Sequence, residues 1–132
     1  MMRILIAEDE IYSAMALQQL LAGRGAEVSL AYDGEQALEL YHSHDYDLAL
    51  LDADMPHMDG YQVATAIRAD ESELKANKPL LLVHFSGYRL TEDELVGRGF
   101  DAQLQKPLTD PDELYQLIDQ LLGSMQTPQA QA

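Results

Sequence analysis

The sequence predicts a doubly wound α/β domain with a five-stranded parallel sheet in the order 2-1-3-4-5. Two observations carry this. Five short apolar runs alternate with five helical patterns, the signature of βα units that cover a parallel sheet on both faces. The runs are also of two kinds. Residues 4–7, 48–51 and 80–85 are almost continuously apolar, as in strands buried on both faces, whereas the runs at 28–30 and 102–104 alternate with polar residues, as at sheet edges. The order 2-1-3-4-5 puts the alternating strands outside and allows right-handed crossovers.

The elements follow in chain order. Residues 4–7 form the first strand, and 11–21 a helix that ends near Gly23. Val28 and Leu30 alternate with Glu27 and Ser29 in the second strand. Asp33, with Gln36 three residues on, reads as the capped start of a helix that runs to about His42. Residues 48–51 are the third strand. The third helix starts near Asp59, where Asp59-Gly60 makes the turn, and carries Val63, Ala66 and Ile67 on one face. Residues 80–85 form the fourth strand, broken only by His84. Thr91 and Glu94 make a capping-box pair for a short helix. Ala102 and Leu104 alternate with Gln103 and Gln105 in the last strand. Asp110-Pro111 opens the last helix, with proline at its first position. Leu114, Leu117, Ile118, Leu121 and Leu122 line one face of it, and Gly123 ends it.

At 132 residues the chain is one domain by length, and 47% hydrophobic residues supply a core. We read residues 1–123 as the folded domain. Residues 124–132, rich in Gln, Ala and Pro, read as a flexible tail or the start of a linker. With no cysteine there is no disulfide framework and no thiolate chemistry, which suits a reducing cytoplasm. No apolar run is long enough to span a membrane, so membrane insertion is not expected. A net charge of −15 argues against direct nucleic-acid binding, because phosphates would be repelled.

The predicted order has its switch point between strands one and three, where their C-terminal ends leave a crevice. Glu8-Asp9 ends the first apolar run and Asp52 ends the third. Two unit charges about 4 Å apart repel by roughly 4 kcal/mol at an effective dielectric near 20. A buried carboxylate cluster therefore needs a cation, and a hard divalent ion with oxygen ligands suits it. Singly, each residue has a plain structural reading. Asp9 could cap the first helix, Asp52 could end its strand in a turn, and Lys106 could be a solvated lysine before a proline.

Three motifs in order, Ile6-Ala7-Glu8-Asp9-Glu10, Leu51-Asp52-Ala53-Asp54-Met55-Pro56 and Lys106-Pro107, resemble the receiver domain of bacterial response regulators. The resemblance covers residues 3–122 and implies a flavodoxin-like (βα)5 fold. It implies that Asp52 is the phosphoacceptor of a two-component or phosphorelay system. The donor would be a phosphohistidine on a sensor histidine kinase or histidine phosphotransfer protein. Asp9 would bind Mg2+, or Mn2+ in its place, together with Asp52 and the backbone carbonyl of Asp54, and Glu8 would hold metal-bound water or add a ligand. Lys106 would pair with Asp52 and then with the phosphoryl oxygens, and the Lys106-Pro107 peptide would be cis. Output would run through protein–protein contacts, with room for a phosphorylation-linked dimer through the last two helices. No separate substrate would be turned over.

The group that senses the phosphoryl is read as Ser86, with His84 as the alternative. Ser86 offers a hydroxyl that donates without titrating, and Gly87 leaves room beside it. His84 shares its strand parity and lies nearer the family's usual count. Asp54 and Tyr88 flank the site, where they would tune access of water to an acyl phosphate. Gln103 stands three residues before Lys106, where many receivers carry Tyr or Phe. Either Tyr88 or Phe100 substitutes for that aromatic, or the domain passes phosphate on without a strong conformational output. His42 and His44 are too sparse for a metal site, and His57 lies in the turn after Pro56.

Two rival readings fit the same residues. Leu50-Leu51-Asp52-Ala53-Asp54 resembles the nucleophile motif of haloacid-dehalogenase-type phosphatases, although there it follows the first strand and here the third. The chain could instead be a pseudo-receiver binding module, which the joint presence of Asp9, Asp52 and Lys106 argues against.

Overall fold

The computed structural model describes residues 1–74 and 79–123. Its elements are β1 (Arg3–Ala7), α1 (Ile11–Ala22), β2 (Glu27–Ala31), α2 (Gly34–Ser43), β3 (Leu48–Asp52), α3 (Gly60–Leu74), β4 (Leu81–Ser86), α4 (Glu92–Gly97), β5 (Ala102–Gln105) and α5 (Pro111–Gly123). The strands form one parallel sheet in the expected order, β2-β1-β3-β4-β5. The tail expected over 124–132 lies outside the described residues.

Side-chain alternation splits the core into two layers. Ile4, Ile6, Leu48, Leu50, Val83, Phe85 and Leu104 face α1 and α5, where Leu17, Leu21, Leu114, Ile118 and Leu122 meet them. Leu5, Ala7, Ala49, Leu51 and Leu82 face the other way, onto Ala37, Val63, Ala64, Ile67 and Phe100. All five residues of β3 are buried, as its continuous apolar run requires, whereas β2 is only partly covered.

Local chemistry fixes the helix starts. α1 is capped by Glu10, whose carboxylate accepts from Tyr12 N at 3.3 Å and Ser13 N at 2.7 Å. Asp9 is thereby released from the capping role that its position allowed. Asp33 caps α2 through Gln36 N, and Gln36 Oε1 in turn accepts from Tyr32 N. α3 opens with a reciprocal pair in which Gln62 N donates to Asp59 Oδ1 and Asp59 N to Gln62 Oε1. Thr91 and Glu94 form the expected capping box of α4. On α3, Val63 and Ile67 are buried as expected, but Ala64 is more deeply buried than Ala66.

Candidate functional site

Two adjacent strand ends build the crevice. β1 pairs with β3 with Ala7 opposite Leu51, so the residues that follow, Glu8 and Asp52, emerge side by side. Glu8 and Asp52 are 1% and 3% exposed, while Asp9 is open to solvent. One carboxylate oxygen from each of Glu8, Asp9 and Asp52 falls within 4.8 Å of the others. Gly60 completes the wall, because a Cβ there would run into the backbone carbonyl of Asp52. Asp54 N donates to Asp52 Oδ1 at 3.2 Å. The Asp54 side chain is exposed and lines a shallow depression with Asp9, Met55, Pro56 and Asp59.

Lys106 arrives from the end of β5, held by its N–H donating to Ser86 O at 2.8 Å, and precedes a cis peptide to Pro107. Its Nζ lies 2.9 Å from Glu8 Oε1 and 3.1 Å from Asp52 Oδ2. The second contact was expected. The first was not, since nothing within 98 residues of sequence separation announces it. Burial pushes the Asp52 carboxyl up, the Glu8 carboxylate adds to this, and Lys106 offsets part of it, leaving a pKa of about 6. Burial and the Asp52 carboxylate raise Asp9 as well. Burial alone would lower Lys106, but Glu8 and Asp52 outweigh it and hold the ammonium above its usual range.

One ammonium thus faces three carboxylates. The second oxygen of Glu8, Oε2, is buried with no hydrogen-bond partner. An all-oxygen donor set with surplus negative charge and an orphaned buried acceptor fits a hard divalent cation.

The two candidates for sensing sit differently. Ser86 ends β4 and is 2% exposed, and its Oγ accepts from Tyr88 N at 3.1 Å. His84 is fully buried on the face opposite the α1 layer, sharing a 3.0 Å hydrogen bond between Nε2 and the Tyr61 hydroxyl. Its ring packs edge-on against Phe100 with centroids 5.3 Å apart. Burial lowers its pKa, which favours the uncharged ring, and Nδ1 has no hydrogen-bond partner. Phe100 belongs to this cluster, and Tyr88 is 74% exposed. Gly87 is exposed with a clear space around it. Gln103 is bonded to the backbone of Leu90. Sequence reasoning gave no hint of Tyr61 beside His84 or Gln103 beside Leu90, because both pairings depend on how helices settle on the sheet.

A doubly wound sheet with an acidic crevice at its switch point and one lysine reaching in defines a class of phosphoryl-accepting signalling domains. Residues 4–119 match the response regulator receiver domain, and the chain belongs to that family. Among curated relatives it is 30% identical over 122 residues to hybrid signal transduction histidine kinase I of Dictyostelium discoideum, covering 89% of this chain and 7% of that protein. It is 33% identical over 110 residues to the sensor histidine kinase GacS of Pseudomonas protegens, covering 82% of this chain and 12% of that protein. The chain therefore spans only a small part of these relatives. Among solved structures, the response regulator TrrA of Thermotoga maritima, in complex with Mg2+-BeF, aligns with a TM-score of 0.77 at 30% identity over 92% of this chain and 99% of that one. The receiver domain of a sensor histidine kinase of Pseudomonas aeruginosa, with magnesium coordinated in its active-site cleft, aligns with a TM-score of 0.79 at 27% identity over 92% and 98%. With Asp52 on the third strand and Glu8-Asp9 beside it, the phosphatase reading has no footing.

Proposed function

We propose that Asp52 accepts a phosphoryl group from a phosphohistidine, with Asp9 and Lys106 as its principal helpers. The convergence of Glu8, Asp9 and Asp52 within 4.8 Å, with Lys106 Nζ bonded to two of them, carries this reading. Asp9, Asp52 and Glu8, with the Asp54 carbonyl, would hold Mg2+, or Mn2+ in its place. That ion supplies charge neutralisation for the phosphoryl oxygens.

The rest is the work of side chains. Asp52 attacks as the carboxylate, so its oxygen–phosphorus bond forms as the nitrogen–phosphorus bond of the donor imidazole breaks. Lys106 gives up part of its pairing with Asp52 to meet the negative phosphoryl oxygens, while Glu8 keeps its hold on the ammonium. Ser86 supplies a hydroxyl donor at the strand end. His84 is the less suited of the two, because its Nε2 is engaged by Tyr61. Asp54 and Tyr88, with Gly87 leaving the approach open, set how readily water reaches the acyl phosphate.

The donor is a histidine kinase or histidine phosphotransfer protein, as the sensor and hybrid kinases among the relatives suggest, and the setting is the cytoplasm. Among the described residues no helix is long and apolar enough to cross a membrane. Beside the crevice, the start of α1 exposes Ile11, Tyr12 and Met15 at 54%, 81% and 45%, an apolar rim suited to a protein donor.

Incubation with labelled acetyl phosphate tests the reading. The parent takes up label in Mg2+ and loses the ability with a chelator, and Asp52→Asn takes up none. Equal labelling of Asp52→Asn would sink the assignment.

A further inference from the structure

β5 does more than close the sheet. Its two outward glutamines continue the ladder past the end of β4, using side-chain amides in place of backbone. Gln103 Nε2 donates to Leu90 O at 2.8 Å, and Leu90 N donates to Gln103 Oε1 at 2.9 Å. Gln105 Nε2 donates to Gly87 O at 3.2 Å. With Lys106 N on Ser86 O and Tyr88 N on Ser86 Oγ, four of the five residues from Ser86 to Leu90 are tied. The segment so tied leads directly into the Thr91 cap of α4.

The position opposite Gln103 on β4 is His84. Its Nε2 is committed to Tyr61 at the start of α3, and its ring to Phe100 just beyond α4. Arg98, the C-cap of α4, stacks on Tyr61 at 4.1 Å. Both ends of α4 are thus held by groups whose hydrogen bonds or ring contacts are already made. A hydroxyl has one donor and two acceptor positions. Ser86 can therefore donate to a phosphoryl oxygen and still accept from Tyr88 N.

We propose that Gln103 and Gln105 latch the loop between β4 and α4 to β5, so that α4 keeps one position whether or not Asp52 is phosphorylated. This rests on Asp52 being the phosphoacceptor. Partners then distinguish the two forms at the crevice itself rather than at a displaced α4.

Amide hydrogen exchange by NMR, with Mg2+ and with Mg2+ plus beryllofluoride, decides it. Gln103→Met keeps the volume and removes both bonds to Leu90. In the parent, the Leu90 amide is protected, and beryllofluoride leaves that protection unchanged. In Gln103→Met it exchanges roughly tenfold faster, the loss of one or two hydrogen bonds of ordinary net strength. Equal Leu90 exchange in both proteins without ligand overturns the latch. So does a parent whose Leu90 exchange rises to the variant's level on beryllofluoride, or whose Glu92–Gly97 resonances shift as a block. Fluorine NMR reports bound beryllofluoride separately. Absence of that signal sinks the Asp52 reading, and the ligand-free comparison still decides the latch.

Discussion

Asp52 carries a stability cost that the proposed phosphoryl transfer requires. The carboxyl is 3% exposed, and burial together with Glu8 lifts its pKa from 3.8 to about 6. The folded state thus holds this proton more tightly than the unfolded chain does. The stability tied to the proton is complete below about pH 4 and is lost as pH rises through about 6, on the order of 3 kcal/mol over that window. Asp52→Asn removes the charge and leaves Lys106 paired with Glu8 at 2.9 Å. In urea unfolding near neutral pH the variant is therefore more stable than the parent by roughly 1–3 kcal/mol, and the gap closes towards about pH 4. A variant less stable at neutral pH contradicts this. Function runs the opposite way with pH. A carboxylate must be deprotonated to attack or to bind a cation, so Mg2+ affinity, read by titration calorimetry, and label uptake both fall as pH drops through about 6. A flat profile from about pH 7 to 5 would place the Asp52 pKa elsewhere.

Among the elements, those built from short-range chemistry were the most legible in the sequence. Strand order followed from which apolar runs were continuous, and the capping box of α4 from Thr91 and Glu94 three residues apart. The first helix was ambiguous for the same local reason. Asp9 and Glu10 are both acidic and adjacent to its start, and only the backbone path makes Glu10 the cap. Gly60 shows what sequence hides. It reads as an ordinary turn glycine before α3, yet its place is set by the carbonyl of Asp52, eight residues back in another element. Gly60→Ala should cost about 1–3 kcal/mol through overpacking. Because the clash falls on Asp52, label uptake should drop beyond what the loss of folded protein explains. Full uptake per folded molecule would mean that the strain relaxes elsewhere. α4 is the weakest element, six residues with none buried. Thr91→Ala should cost about 1 kcal/mol, and its effect should appear as faster amide exchange in α4 with the rest of the sheet unchanged.

At the scale of the whole molecule, the charge of −15 and the apolar rim at Ile11, Tyr12 and Met15 are separate instruments. Charge sets which partners approach, since long-range fields govern encounter rates more than they govern final contacts. On the proposed transfer from a protein donor, the apolar rim is the surface that would hold that donor. Its place at the start of α1, directly after Glu8-Asp9, lets a donor large enough to cover the crevice mouth touch it as well. Composition made the charge legible, but the rim was not, because the helix pattern over 11–21 does not say which of its apolar residues stay exposed once α1 is docked. On this reading a small donor bypasses the rim and a protein donor does not. Tyr12→Ala, at a residue 81% exposed, should therefore leave labelling by acetyl phosphate unchanged. Transfer from a phosphorylated histidine phosphotransfer domain should slow roughly tenfold, the loss typical of one aromatic anchor at an interface. Equal slowing with both donors would assign Tyr12 to the chemistry of the crevice. Unchanged rates with both would place the protein donor on another face.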